Sequence, residues 1–208
     1  LGLNIIFCHL GYKNINEIWI DGENGEKVTQ EYIKDLDLMK KKQIDTVVMH
    51  LTTHREAPMY NEIGLERIKR IVKHAKELGI KIAFENTRKQ GYLEYVLGNI
   101  KDENVGVCFD SGHCHVHFDD EFNYELFRDR YFAVHLHDND KTDDLHLLPF
   151  DGTIDWNNIL SKLKENNYNG PLTLELCYRY DYLKQSIEDF YKEGYTRGIK
   201  LEEIYNKC

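Results

Sequence analysis

Short apolar runs alternate along the chain with longer stretches in which apolar residues recur every three or four positions. The runs are Leu3–Cys8, Thr46–Met49, Ile80–Phe84, Val105–Phe109, Phe132–Val134 and Leu172–Leu174. Their brevity and their Val, Ile and Phe content predict strands buried on both faces. Between them, residues 29–42 read as a helix that begins at Thr29 and carries Ile33, Leu36 and Met39 at spacings of three. Residues 62–78 place Ile63, Ile68, Ile71, Val72 and Ala75 on one face and stop at Gly79. Residues 155–166 start at Asp155 and carry Ile159, Leu160 and Leu163, and residues 183–206 form the last helical stretch. Strand and helix in alternation predict a parallel sheet covered by helices, either an open doubly wound sheet or a (β/α)8 barrel. No G-x-G-x-x-G follows a strand, so the dinucleotide-binding version has no support. No linker or composition shift divides residues 1–208, and one domain is expected.

Composition narrows the setting. Of the 208 residues 41% are hydrophobic and 30% charged, enough apolar material for a core. No run of about 18 apolar residues predicts a membrane span, and no secretory signal pattern opens the chain. The five cysteines are odd in number and scattered, which predicts a reducing, cytoplasmic compartment without disulfides. A net charge of −9 gives no support to nucleic-acid binding, although an acidic chain can still carry a local basic patch.

The chemistry sits where the runs end. Read in order, they finish on His9, His50, Glu85, Asp110, His135 and Glu175. Six of six is well beyond chance for 46 His, Asp and Glu among 208 residues. In a barrel the C-terminal strand ends form one catalytic face. Asp110 and His113 lie three apart, and Asp144 and His146 two apart, just past strand ends. Such mixed nitrogen and oxygen donors suit Zn²⁺, Mn²⁺ or a similar divalent ion. His54, His115, His117 and His137 read as rim positions and His74 as part of a solvated helix face. Cys108 and Cys177 share strand parity with the carboxylates and read as buried structural thiols. The tyrosines near the end of the chain, Tyr178 to Tyr205, are expected to pack the last helix, with Tyr178 near enough to Glu175 to reach the mouth.

The segments FENT (84–87), VGVCFDSGH (105–113), VHLHD (134–138), DLHLLPFDGTID (144–155) and PLTLEL (171–176) resemble the xylose isomerase-like TIM barrel superfamily. That superfamily holds the sugar phosphate isomerases/epimerases and the endonuclease IV (AP endonuclease family 2) enzymes. The resemblance implies a TIM (β/α)8-type barrel. Only six strands are countable, so the first two βα units are expected to lie outside this chain as an N-terminal truncation. It also implies a ligand set of His9, His50, Glu85, Asp110, His113, His135, Asp144, His146 and Glu175, holding one to three zinc or manganese ions. In isomerase-like members Glu85, Asp110, His135 and Glu175 would hold one ion and His113 would contact substrate. Tyr12, three residues after His9, resembles a position near the mouth.

The resulting expectation is a divalent-metal-dependent isomerase or epimerase of a small sugar, sugar phosphate or related polyol. Glu85 and Glu175 would exchange a proton with a metal-stabilised enediolate. Arg88 and Arg179 are candidate phosphate grips. The altered stretch after His50 and the short, arginine-free loop from His135 to Asp144 weigh against DNA. The alternative is an endonuclease IV-like zinc-dependent phosphodiester hydrolase acting on abasic DNA; a third reading is a metal-binding barrel without turnover. Homo-oligomerisation is left open.

Overall fold

A computed structural model describes residues 4–53, 56–118 and 121–208. The chain divides into two compact units, Leu1–Cys108 and Phe109–Cys208.

In the first unit, β1 (Cys8–His9), β2 (Thr46–Met49), β3 (Lys81–Glu85) and the start of β4 (Val105–Asp110) pair in parallel in that order. The crossovers carry α1 (Glu23–Lys41), α2 (Glu62–Leu78) and α3 (Gly91–Asn99). Val47, Val48, Met49, Ile82, Ala83 and Phe84 are wholly buried, as parallel strands covered on both faces require. β2 has its predicted bounds, β3 is shifted from its run by one residue at each end, and β4 runs one residue further. β1 is shorter than its run: Ile5 and Ile6 stay 70% and 49% exposed because the ladder to β2 begins only at Cys8↔Val47.

α2 begins where the Asn61 side chain accepts the Gly64 N–H and ends at Gly79, whose φ of 70° is the left-handed cap the sequence predicts. α1 starts six residues before the predicted Thr29. Thr29 is buried mid-helix and donates its hydroxyl to the Gly25 carbonyl instead of capping. What fixes the earlier start is Arg67 of α2. Buried, it donates to the carbonyls of Ile18, Ile20 and Gly22 and to the Glu26 carboxylate. A Cβ on Gly25 would lie 2.1 Å from that guanidinium. His74 pairs with Asp37 at 2.8 Å, so it joins α2 to α1 instead of facing only solvent.

In the second unit the end of β4 is neighboured by β5 (Tyr131–His135), with α4 (Ser111–His117), α5 (Trp156–Glu165) and α6 (Ile187–Lys207) around them. α5 starts at Asp155 as predicted, its carboxylate accepting the Asn158 N–H. α6 starts later than residue 183, because residues 180–184 form a 3-10 turn and the Ser186 hydroxyl caps at the Asp189 N–H. The sixth predicted strand is not formed. Residues 172–174 contribute one parallel bridge, Leu136↔Leu174, flanked by Leu136 N–H to Thr173 O (2.8 Å) and Glu175 N–H to Leu136 O (3.1 Å). Five strands are therefore described where the run pattern predicts six. Of the late tyrosines, Tyr178 and Tyr182 pack on Phe190 and Tyr205 reaches the Tyr168 carbonyl. Tyr191 and Tyr195 instead leave 62% and 73% of their surface open on α6. Among the described residues no helix is long and apolar enough to cross a membrane.

Candidate metal centres

Strand register builds the first cluster. His9 is level with Val48, and Val48 with Ala83. Each of those two lies two residues before a donor, His50 or Glu85, and alternation of side chains puts all three donors on one sheet face. Their ligating atoms lie within 4.8 Å of one another. Glu85 is almost wholly buried, and its Oε2 lies 3.1 Å from His9 Nε2 and 3.4 Å from His50 Nε2. His9 Nδ1 lies 2.7 Å from the Leu10 carbonyl, which can only accept. The ring hydrogen therefore sits on Nδ1, and Nε2 presents a lone pair to a carboxylate. Two acceptors face each other unless a cation or proton stands between them. Tyr12 lies over this cluster, stacked on His50 at 4.2 Å and edge-on to His9 at 5.6 Å. Arg88 is half-buried in the coil after β3. No helix starts at Asn86–Thr87: Thr87 is buried against Thr52, and α3 begins at Gly91.

The second cluster is built from one strand pair and a long loop. Asp110 ends β4 and caps α4 through the His113 N–H at 2.6 Å. His135 ends β5, its Nδ1 3.1 Å from Glu175 Oε2 and 4.0 Å from Asp110 Oδ2. Asp144 Oδ2 lies 3.3 Å from both His113 Nε2 and His146 Nε2. His146 repeats the arrangement of His9: its Nδ1 meets the Glu175 carbonyl at 3.0 Å, leaving Nε2 toward the carboxylate. Burial alone would raise the Asp144 carboxyl, but the bonds and charges of His113 and His146 outweigh it and hold it far below the usual carboxylate range. Burial would likewise lower His146, yet Asp144 chiefly, with Glu175 and Asp110, raises it. The proton drawn onto His146 occupies the place a metal cation would take.

A loop holding two donors needs a scaffold, and Asp138 supplies it. Wholly buried, it accepts from the N–H groups of Asn139, Phe150 and Ile154 and from Trp156 Nε1, all at 2.9–3.2 Å. Gly152 is required there, since a Cβ would lie 2.2 Å from Asp138 Oδ1. Arg179 closes the loop by donating to the Asp144 carbonyl at 2.7 Å and the Leu145 carbonyl at 3.3 Å, and it lies over the Tyr180 ring. For Arg179 to grip a phosphate, those two bonds would have to open. His115 is buried on Thr153 at 2.8 Å, and His117 stacks 6.0 Å from His113. His54 lies outside the described residues. Cys108 is buried, as expected, and Cys177 half-buried, its N–H on the His146 carbonyl.

The sequence pattern leaves His137 at the rim, whereas the structure buries it within this cluster. The readable signal is the i, i+2 spacing of His135 and His137, which gives them one strand parity. The donors fit divalent metal in kind and spacing. Two donors at about 2.0–2.2 Å from a tetrahedral ion stand roughly 3.4 Å apart, close to the separations found at Glu85 and at Asp144.

A βα-alternating chain with His, Asp and Glu at its strand ends matches the profile of the xylose isomerase-like TIM barrel family over residues 1–196, and the chain belongs to that family. Among curated relatives it is 33% identical over 138 residues to the uncharacterized protein y4fM of Sinorhizobium fredii, covering 63% of this chain and 44% of that protein. It is 30% identical over 187 residues to the uncharacterized protein MJ1311 of Methanocaldococcus jannaschii, covering 82% of this chain and 64% of that protein. The chain thus spans less than two thirds of either relative. Similar solved structures include a D-tagatose 3-epimerase-like protein (22% identity, TM-score 0.77, 97% of this chain and 78% of that one). Another is the IolI protein with a bound zinc atom (20%, 0.77, 96% and 77%). A third is a D-allulose 3-epimerase from Methylomonas sp. in complex with D-allulose (15%, 0.72, 96% and 76%). At these identities the likeness establishes the fold.

Proposed function

We propose that this chain belongs to a divalent-metal-dependent isomerase or epimerase of a small sugar, sugar phosphate or related polyol. The observation that carries the reading is the donor set, in which His9 and His146 are tied by Nδ1 to backbone carbonyls and aim Nε2 at carboxylates. Second partners that fix a ligating imidazole in this way are the usual support of a metal site. Family membership and epimerases among the similar structures support the same reading, as does the zinc atom of IolI.

A bound ion, held by Asp110, His135 and Glu175, would polarise a carbonyl and acidify the neighbouring C–H. Glu175 would exchange that proton, and Glu85 is the second carboxylate that the resemblance offers for a base/acid pair. The Glu175 side chain is 39% exposed, open enough to meet a substrate. His113 orients a substrate oxygen, and Tyr12 offers a half-exposed ring and hydroxyl. The test is deuterium exchange from solvent into a panel of ketoses, aldoses and their phosphates. Glu85→Gln and Glu175→Gln should each abolish exchange seen with the parent chain; exchange retained in both overturns the mechanism.

One observation favours a second reading. Nine expected donors exceed what a single four-coordinate ion uses, and His9, His50 and Glu85 form a trio of their own. Metal-dependent hydrolysis of a phosphodiester at abasic DNA would use such a surplus. Nicking of an abasic duplex by metal-loaded protein would establish it, and absence of nicking beside sugar exchange would exclude it.

A further inference from the structure

We infer that His137 is an additional metal ligand of the second cluster, joining Asp144 and His146 on one divalent ion. The inference rests on the metal-centre reading above and adds a donor that the family resemblance does not supply. His137 has no exposed surface, which makes a solvated rim role impossible. Its Nε2 lies 3.1 Å from Asp110 Oδ2 and 3.7 Å from Asp144 Oδ1. Those separations match the ones between expected ligands at Glu85 and at Glu175. One ligating atom each from His137, Asp144 and His146 falls within a 4.8 Å span. The two imidazoles stack at 4.0 Å with 13° between their planes, so both present ring edges to Asp144 from one side.

The site is built to receive this ring. The Ser111 hydroxyl donates to the His137 carbonyl at 2.8 Å and accepts its N–H at 3.0 Å, locking the backbone that carries the imidazole. Gly112 leaves the room: a Cβ there would stand 1.9 Å from His137 Cε1 and 2.4 Å from Nδ1. A buried imidazole between two carboxylates has no apolar packing role to explain it. Nε2 carries at most one proton, which satisfies the Asp110 carboxylate at 3.1 Å and leaves that of Asp144 facing the ring, whereas a cation would join both.

The test is the visible absorption of the Co²⁺-loaded chain, which reports the number and kind of ligands without any turnover. His137→Gln keeps an amide that can donate to Asp110 but is a poor ligand for this ion class. Gly112→Ala keeps every donor and drives a methyl group into the His137 ring. Both should change the cobalt bands and weaken Co²⁺ binding at this site by roughly 100-fold, with circular dichroism unchanged. Wild-type bands in folded His137→Gln would overturn the inference, reducing His137 to a hydrogen-bonding support for Asp110. No cobalt band in the parent chain would overturn it together with the metal reading, whereas failure of sugar exchange alone would leave it standing.

Discussion

The two donor clusters solve the same chemical problem by different means. In the first unit, three donors follow from strand register: His9, His50 and Glu85 share a face because β1, β2 and β3 pair with a fixed stagger. Nothing beyond the sheet is needed to bring them together. In the second unit, Asp110 and His135 end strands, but Asp144 and His146 ride on a loop. Asp138, Gly152 and Arg179, none of which is an expected ligand, help that loop keep its shape. The contrast separates donors supplied by backbone pairing from donors that require a second layer of buried polar contacts. Such contacts are individually modest, yet expensive to leave half made.

Asp138→Ala should separate the two regions most sharply. It strips the buried acceptor from three N–H groups and the Trp156 indole, and about 3–5 kcal/mol of stability should be lost in chemical denaturation. Hydrogen exchange should rise across residues 138–156 while the amides of β2 and β3 keep their protection. Equal loss of protection in both regions would mean that the loop scaffold is not local.

Glu85→Ala attacks the other side. It removes the carboxylate shared by His9 and His50, and Zn²⁺ affinity at that trio should fall by about 100-fold, or about 2.7 kcal/mol, in competition with a chelator dye. Arg179→Ala should cost less. The loop keeps Asp138, so metal affinity in the second cluster should drop only by about tenfold, with little change in melting temperature. The smallest effect belongs to His74→Ala, remote from both clusters. Its partly exposed pair with Asp37 should contribute less than about 1 kcal/mol, and metal content should not change.

The same division decides what is legible in the sequence. β2, α2 with its Gly79 cap and α5 with its Asp155 cap follow from local pattern, and their bounds agree. The start of α1 does not, because a buried arginine from another helix fixes it and Thr29 is an equally good local signal. The run at 172–174 has strand composition but obtains only one bridge, and composition does not say how many ladder bonds a segment will find. The first cluster can be read from strand ends alone. For His137 the spacing from His135 is the one local signal, and it does not reveal the burial, which depends on Ser111, Gly112 and the loop that covers it. Asp138 is invisible for the same reason: its partners lie up to eighteen residues away, in the loop it organises.

Both clusters act as proposed only if they hold divalent metal. Native mass spectrometry of the intact chain, loaded with Zn²⁺ or Mn²⁺ and freed of excess ion, counts the ions directly. One to three ions per chain are expected, with the count falling in Glu85→Ala. A folded chain that retains no ion under either loading would contradict the metal reading.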